Sequence, residues 1–326
     1  MAAKWDDFEP IGGASPSAGW DDFEPVVEKS SVLRRGIADP AISLLKGAIS
    51  VPEAVVGLAN IPTLGIAGKA AEGIGFLPKE AKAELDTWYS PEQQAANRRV
   101  QEAKGFIPTL QAGIENPSVI GHTVAESVPS MLGGAAIARG VLGAGAGALA
   151  RATGAAAAPT IAGAIGEGVV GAGMASEQIR QQTADGTMTP GQAGAALASG
   201  IGTGVLGAAG GAAARKLGLT DVDTLLAGGS GTVGARGMPA RVLGGAVSEG
   251  ILEEMPQSAQ EQVWQNVALG KPTMEGVPEQ AALGGLAGAA MGGIGGLAPK
   301  GPLQKAVAAG SATIPPDAGI AAGIPA

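Results

Sequence analysis

The chain has 326 residues, including 56 glycines and 22 prolines, with four Phe, four Trp, one Tyr and 15% charged residues. Aromatic side chains supply much of the burial in a soluble core and alanine buries little. The composition therefore argues against a large, tightly packed soluble core, although the length would allow two ordinary domains. The formal net charge is −8, and the absence of a basic stripe disfavours direct duplex binding through phosphates. With no cysteine and a single histidine, a disulfide framework is ruled out and a zinc site is disfavoured.

Residues 1–30 hold seven acids against two lysines, so most of the negative excess sits there. The first residues have no apolar core, so no secretory signal peptide is expected. Trp5-Asp6-Asp7-Phe8-Glu9-Pro10 recurs as Trp20-Asp21-Asp22-Phe23-Glu24-Pro25 across a spacer of Gly, Ala, Ser and Pro. Two such hexapeptides on a flexible tether read as docking motifs, with Trp5, Phe8, Trp20 and Phe23 as pocket anchors and the aspartates meeting a basic rim. The alternative is a solvated acidic tail.

Residues 31–112 read as short helices broken by Gly and Pro. Ser90-Pro91-Glu92-Gln93 carries an N-cap, a proline at the first helical position and a capping-box glutamine. It predicts a polar surface helix from 91 to about 104, stopped by Gly105. His122 reads as a surface or capping histidine in the first turn of the next helix.

Residues 113–215 form a Gly/Ala-rich helical unit. Thr189-Pro190-Gly191-Gln192 repeats the start signal, and the helix it opens carries Gly200, Gly204, Ala208 and Ala212 at spacing four. Residues 190–214 are long enough to cross a hydrocarbon layer of about 30 Å, but low Leu, Ile and Val content makes the transfer energy weak. A connector spans 216–240 and a second glycine-zipper unit 241–300. Residues 301–326 read as a disordered tail, like 1–30. The second unit echoes the first: Ala246–Leu252 matches Ala164–Val170, Ser258 and Gln260 match Ser176 and Gln178, and residues 281–283 match 195–197. Each copy reads as a polar helix, a turn and a glycine-faced helix.

Gly284, Gly288, Gly292 and Gly296 lie four apart within the uncharged run 280–299. On a helix they share one face. Each mid-helix glycine costs about 1 kcal/mol relative to alanine, so a face of four implies a closely approaching neighbour, as in membrane helix pairs. The Gly200-Gly204-Ala208-Ala212 face is the candidate neighbour. Trp264, beside Val263 and Val267 on a polar helix from 253 to 269, suits either a headgroup boundary or packing on a Gly/Ala helix. Glu249, Glu253 and Glu254 read as a solvated face.

The G-x-G-x-x-G matches at 166–171 and 202–207 follow no strand pattern, so the dinucleotide reading fails. Glu126-Ser127 lacks the other segments of a lytic transglycosylase. No catalytic, cofactor or metal residues are expected. The fold expected is mainly α: an irregular assembly of Gly/Ala-rich helices with disordered tails.

Several segments together carry a resemblance: the two Trp-Asp-Asp-Phe-Glu-Pro copies, residues 89–105, Asn116-Pro117-Ser118, residues 125–131, residues 177–182, and residues 252–262 with Trp264 and residues 269–272. In these the chain resembles the N-terminal region of the large internal virion, or DNA-ejection, proteins of short-tailed bacteriophages and prophages. The resemblance implies a protein stored in the virion interior and released into the host cell envelope to help deliver the genome. It implies the host membrane, conditionally, and other virion proteins as partners, in a homo- or hetero-oligomer. Many relatives carry enzymatic domains, and this chain has no segment onto which such an activity transfers. The alternatives are a non-membrane structural or scaffold-docking virion protein, and a cellular glycine-zipper membrane protein.

Overall fold

The computed structural model describes residues 31–154, 157–216, 222 and 237–297. The fold is mainly α, with no strand among the described residues. In chain order the helices are α1 (Asp39–Thr63), α2 (Ile66–Gly73), α3 (Pro78–Trp88), α4 (Pro91–Glu102), α5 (Phe106–Glu115), α6 (Pro117–Thr153), α7 (Ala158–Gln181), α8 (Pro190–Lys216), α9 (Met238–Val247), α10 (Met255–Leu269) and α11 (Val277–Leu297). The expected tails, and most of the expected connector, lie outside the described residues; α9 begins within the connector, at Met238.

The start signals act as their chemistry requires. Ser90 Oγ accepts the Gln93 N–H at 3.3 Å and opens α4. Thr189 and Gln192 form a reciprocal capping box at the start of α8, with bonds of 3.2 and 2.8 Å. Two π-helical segments, Arg34–Ala38 before α1 and Ser248–Glu254 between α9 and α10, each end two residues before a proline, Pro40 and Pro256. Proline supplies no N–H and clashes with the carbonyl four residues back. A widened turn just upstream lets the rod continue.

The expectation of short, broken helices over 31–112 fails for α1, which runs for 25 residues through Gly47, Pro52 and Gly57. Tertiary contact overrides local propensity there. Gly47 lies against the Glu126 carbonyl of α6, and Gly57 against the Gly173 carbonyl of α7. Helix α7 is central, packed on α1, α6 and α8. It is antiparallel to α6, meeting it at Gly134 and Gly166, and antiparallel to α8, meeting it at Gly168, Gly200 and Gly204. The rod α9–α10 forms a second antiparallel hairpin with α11, which also reaches α5 and α6.

The apolar core is thin, as the composition requires. Among the described residues, 15 of the 22 buried apolar side chains are alanines. The largest cluster is Ile179, Met188, Ala193 and Ala196, beside the turn joining α7 to α8. Helix approach to backbone distance replaces side-chain interdigitation.

Candidate functional site

The polarity of α1 is inverted relative to a soluble helix. Its charged and hydrogen-bonding residues recur as Asp39, Ser43, Lys46, Ser50, Glu53 and Asn60, with Gly57 holding the remaining place in an alternation of steps of four and three, and this face turns inward. The opposite, exposed face is Ala41, Leu44, Leu45, Ala48, Pro52, Val55, Ala59 and Pro62, with no charge along it. Helix α8 also carries an exposed apolar stripe, over a buried face of Gly and Ala with Ser199 and Thr203. Leu197, Ile201 and Val205, four apart, are 47%, 59% and 61% exposed, while Ser199, Gly200, Thr203, Gly207 and Gly210 are buried. Among the described residues, these are also the two helices long and apolar enough, by length and composition, to cross a membrane, over Arg34–Thr63 and Pro190–Lys216.

The inward polar groups of α1 are bonded to their neighbours. Asp39 accepts from Ser90 N–H at 3.0 Å and Ser90 Oγ at 2.6 Å. Ser43 Oγ lies 2.7 Å from Tyr89 Oη and 2.8 Å from His122 Nδ1. The expectation of a surface or capping His122 is corrected: it sits within α6, half-buried, edge-on to Tyr89. Burial holds its pKa below the ordinary imidazole value, with Lys46 acting in the same sense and Asp39 opposing. The residue types of a catalytic triad are present, but Ser43 is fully buried and Asp39 is engaged by Ser90. The cluster is a structural pin joining α1, α4 and α6.

A second network joins α1, α2, α3 and α7. Asn60 donates to Glu177 at 2.6 Å and accepts the Gly68 N–H at 2.6 Å. Arg180 binds both Glu177 oxygens, at 2.8 and 2.6 Å, and reaches Glu72 at 2.6 Å. The Glu177 bonds, more than the burial that opposes them, push the Arg180 pKa up. Gln181 ties Glu177 to Glu53, which is ion-paired with Lys82. Buried charges on this scale persist only when paired and hydrogen-bonded.

Glycine makes room for these side chains. A Cβ on Gly68 would lie 2.2 Å from Arg180 Nε, one on Gly202 2.4 Å from Gln260 Oε1, and one on Gly207 2.5 Å from Glu167 Oε2. The glycine faces are therefore sockets for buried polar groups as well as helix contacts. This corrects the reading of Glu249 and Glu253 as a solvated face. Both are buried in the π-helical segment, Glu249 beside Gly292 and Glu253 beside Gly207 and Gly210.

Between α6, α7, α8, α10 and α11, with Ser50 of α1 and Lys82 of α3 at its border, lies a half-open cleft of about 640 Å³. Glu126, Glu167, Glu249, Glu254 and Glu261 line it, with Lys82, several Gln, Ser and Thr side chains, and the apolar Met131, Val170, Met174 and Met291. Within it Glu261 accepts from Thr203 Oγ1 at 2.7 Å, and Gln257 donates to the Thr203 carbonyl at 3.3 Å.

The two glycine faces do not meet each other. Gly200 and Gly204 pack on Gly168, Ala172 and Ala164 of α7, and Ala208 and Ala212 are half-buried further along α8. Gly284, Gly288 and Gly292 pack on Ser258, Glu254, Gly245 and Glu249 of the α9–α10 rod; Gly296 lies in the last turn of α11. Each glycine helix thus pairs with the polar helix of its own repeat. Trp264 is half-buried on α10. The docking motifs at Trp5, Asp6, Asp7, Phe8, Trp20, Asp21, Asp22 and Phe23 lie outside the described residues. The dinucleotide-like segments fall inside α7 and α8, where no strand precedes them. Sequence reasoning missed the inward polar seam of α1, although its four-three spacing is written in the sequence.

No family model, curated protein or solved structure matches the chain.

Proposed function

We propose that this chain is an internal virion (ejection) protein of a short-tailed phage, one that associates with the host envelope through the outer faces of α1 and α8 while its glycine-zipper contacts hold the bundle together. The reading is supported above all by the inverted polarity of α1, joined by the exposed apolar stripe of α8. In water, a continuous apolar stripe outside and a charged seam inside is the costly arrangement. In a bilayer it is the favourable one: apolar side chains meet hydrocarbon and polar groups satisfy one another within the protein. Association then rests on close packing of small residues, which needs no large apolar core. The segment resemblance supplies the biological setting of storage in a capsid and release into an envelope. Purified protein is mixed with liposomes of several lipid compositions and tested by flotation and by release of a trapped dye. Flotation with release is the expected result, and absence of binding to every composition rejects the proposal.

A further inference from the structure

We propose that, away from a membrane, the apolar face of α1 is covered by the chain's own residues 1–30, with the two Trp-Asp-Asp-Phe-Glu-Pro copies lying along it until a bilayer displaces them. The inference rests on the membrane reading above and deepens it by naming what shields that face in water.

The face extends beyond α1 itself. Val32, Leu33 and Ile37 are 79%, 70% and 64% exposed and lead into the exposed Leu44, Leu45 and Val55. An apolar strip of this length is a costly surface in water. The described chain starts at Ser31, at the foot of the strip. Residues 1–30 lie outside the described residues, and their sequence supplies what a cover needs. They hold Trp5, Phe8, Trp20 and Phe23, four of the eight Phe and Trp residues of the chain. One aromatic side chain buries about 150–250 Å², so four would cover about 600–1,000 Å².

Charge favours the same docking. Residues 1–30 carry seven acids against two lysines, and Arg34 and Arg35 stand exposed at the start of the strip. Asp39, the nearest acid along the chain, is turned inward and engaged by Ser90. The strip itself is uncharged, so carboxylates lying beside it meet no fixed negative charge on it. Reach suffices as well. At about 3.4 Å per residue, Phe23 can stand about 27 Å from Ser31, and at about 1.5 Å per helical residue that takes the second copy as far as Ala48. The copies are fifteen residues apart and can separate by up to about 50 Å, so the first copy reaches Val55 to Pro62. So short a tether gives an effective concentration on the order of millimolar, at which weak contacts suffice. A bilayer competes for every part of this contact. Hydrocarbon takes the apolar strip, and anionic headgroups attract Arg34 and Arg35 while repelling the acidic segment.

The test uses the full chain with Trp88→Phe and Trp264→Phe, which leave Trp5 and Trp20 as the only tryptophans. A nitroxide, which quenches tryptophan emission on close approach, is carried on a single cysteine at Ala48 or, as a control, at Gly147 on α6, where an added Cβ meets no atom of another element. In water the Ala48 label should quench and the Gly147 label should not. Asp6→Asn/Asp7→Asn/Asp21→Asn/Asp22→Asn should weaken the quenching, and anionic vesicles should abolish it. Separately, Trp5→Ser/Phe8→Ser/Trp20→Ser/Phe23→Ser in the otherwise natural chain should float with zwitterionic vesicles more readily than the wild type. Absent quenching from Ala48, equal quenching from both labels, or flotation unchanged by the four-residue variant overturns the cover and leaves the membrane reading standing. If neither the wild type nor that variant floats with vesicles of any composition, both are overturned.

Discussion

Gly57→Ala is the most direct probe of how this bundle is held. A methyl carbon at Gly57 would sit 1.8 Å from the Gly173 carbonyl oxygen, whereas ordinary contact begins near 3.4 Å. The reciprocal position is equally closed, since a Cβ on Gly173 would lie 2.2 Å from the Ala54 carbonyl oxygen. Both obstacles are backbone, so α1 and α7 must separate by more than an ångström along this crossing. Overpacking of that kind costs about 3 kcal/mol, the upper part of its usual range. The helix-propensity gain of Gly→Ala returns about 1 kcal/mol, leaving a net loss of about 2 kcal/mol. Gly140→Ala in α6 is the matched control. No atom of another element lies within 4 Å of its added methyl, so only the propensity term acts and the protein gains about 1 kcal/mol. Urea unfolding followed by far-ultraviolet circular dichroism reads both. A Gly57→Ala protein as stable as the Gly140→Ala protein would refute backbone-distance packing as the basis of the α1–α7 interface.

Three further outcomes follow from the polar interior and the caps. Arg180→Met leaves the Glu177 carboxylate buried beside Asn60 and should cost about 3–5 kcal/mol in urea unfolding, with Arg180→Met/Glu177→Gln recovering part of the loss. His122 is held below its unfolded value of 6.5, so its contribution is fully present above that pH and declines as the pH falls toward the folded pKa. Urea midpoints of the wild-type protein should drop across that acid interval, and His122→Gln should flatten the drop. Thr189→Ala removes one half of the capping box that opens α8 and should cost about 1 kcal/mol, seen as faster hydrogen exchange in the first turn of that helix.

The sequence showed helix starts well and helix faces poorly. Ser90 and Thr189 were readable because a cap, a proline and a glutamine at fixed spacing form a local signal that survives any tertiary setting. The close approach implied by glycines at spacing four was also local, since a face without side chains excludes little else. The partner of each face was not readable: it depends on hairpin topology, and the structure pairs Gly284, Gly288 and Gly292 with Ser258, Glu254 and Glu249 and not with Gly200. Helix α1 was missed for a more instructive reason. Its regularity lies in Asp39, Ser43, Lys46, Ser50, Glu53 and Asn60, and a search for an apolar stripe facing a core passes over a polar stripe facing one. Burial of Glu249 and Glu253 depended likewise on space left by glycines far away in sequence.

The central claim is that the exposed faces of α1 and α8 are lipid-facing and their polar faces internal. The chain has no cysteine, so single cysteines carrying a nitroxide can be placed along α1 without background and measured in liposomes for collision with oxygen and with a water-soluble nickel complex. Labels at Leu44, Ala48, Val55 and Ala59 should be accessible to oxygen and shielded from nickel, while labels at Ser43, Ser50, Glu53 and Asn60 should be shielded from oxygen. Oxygen accessibility that is flat along the helix, or highest at the second set, would contradict the account.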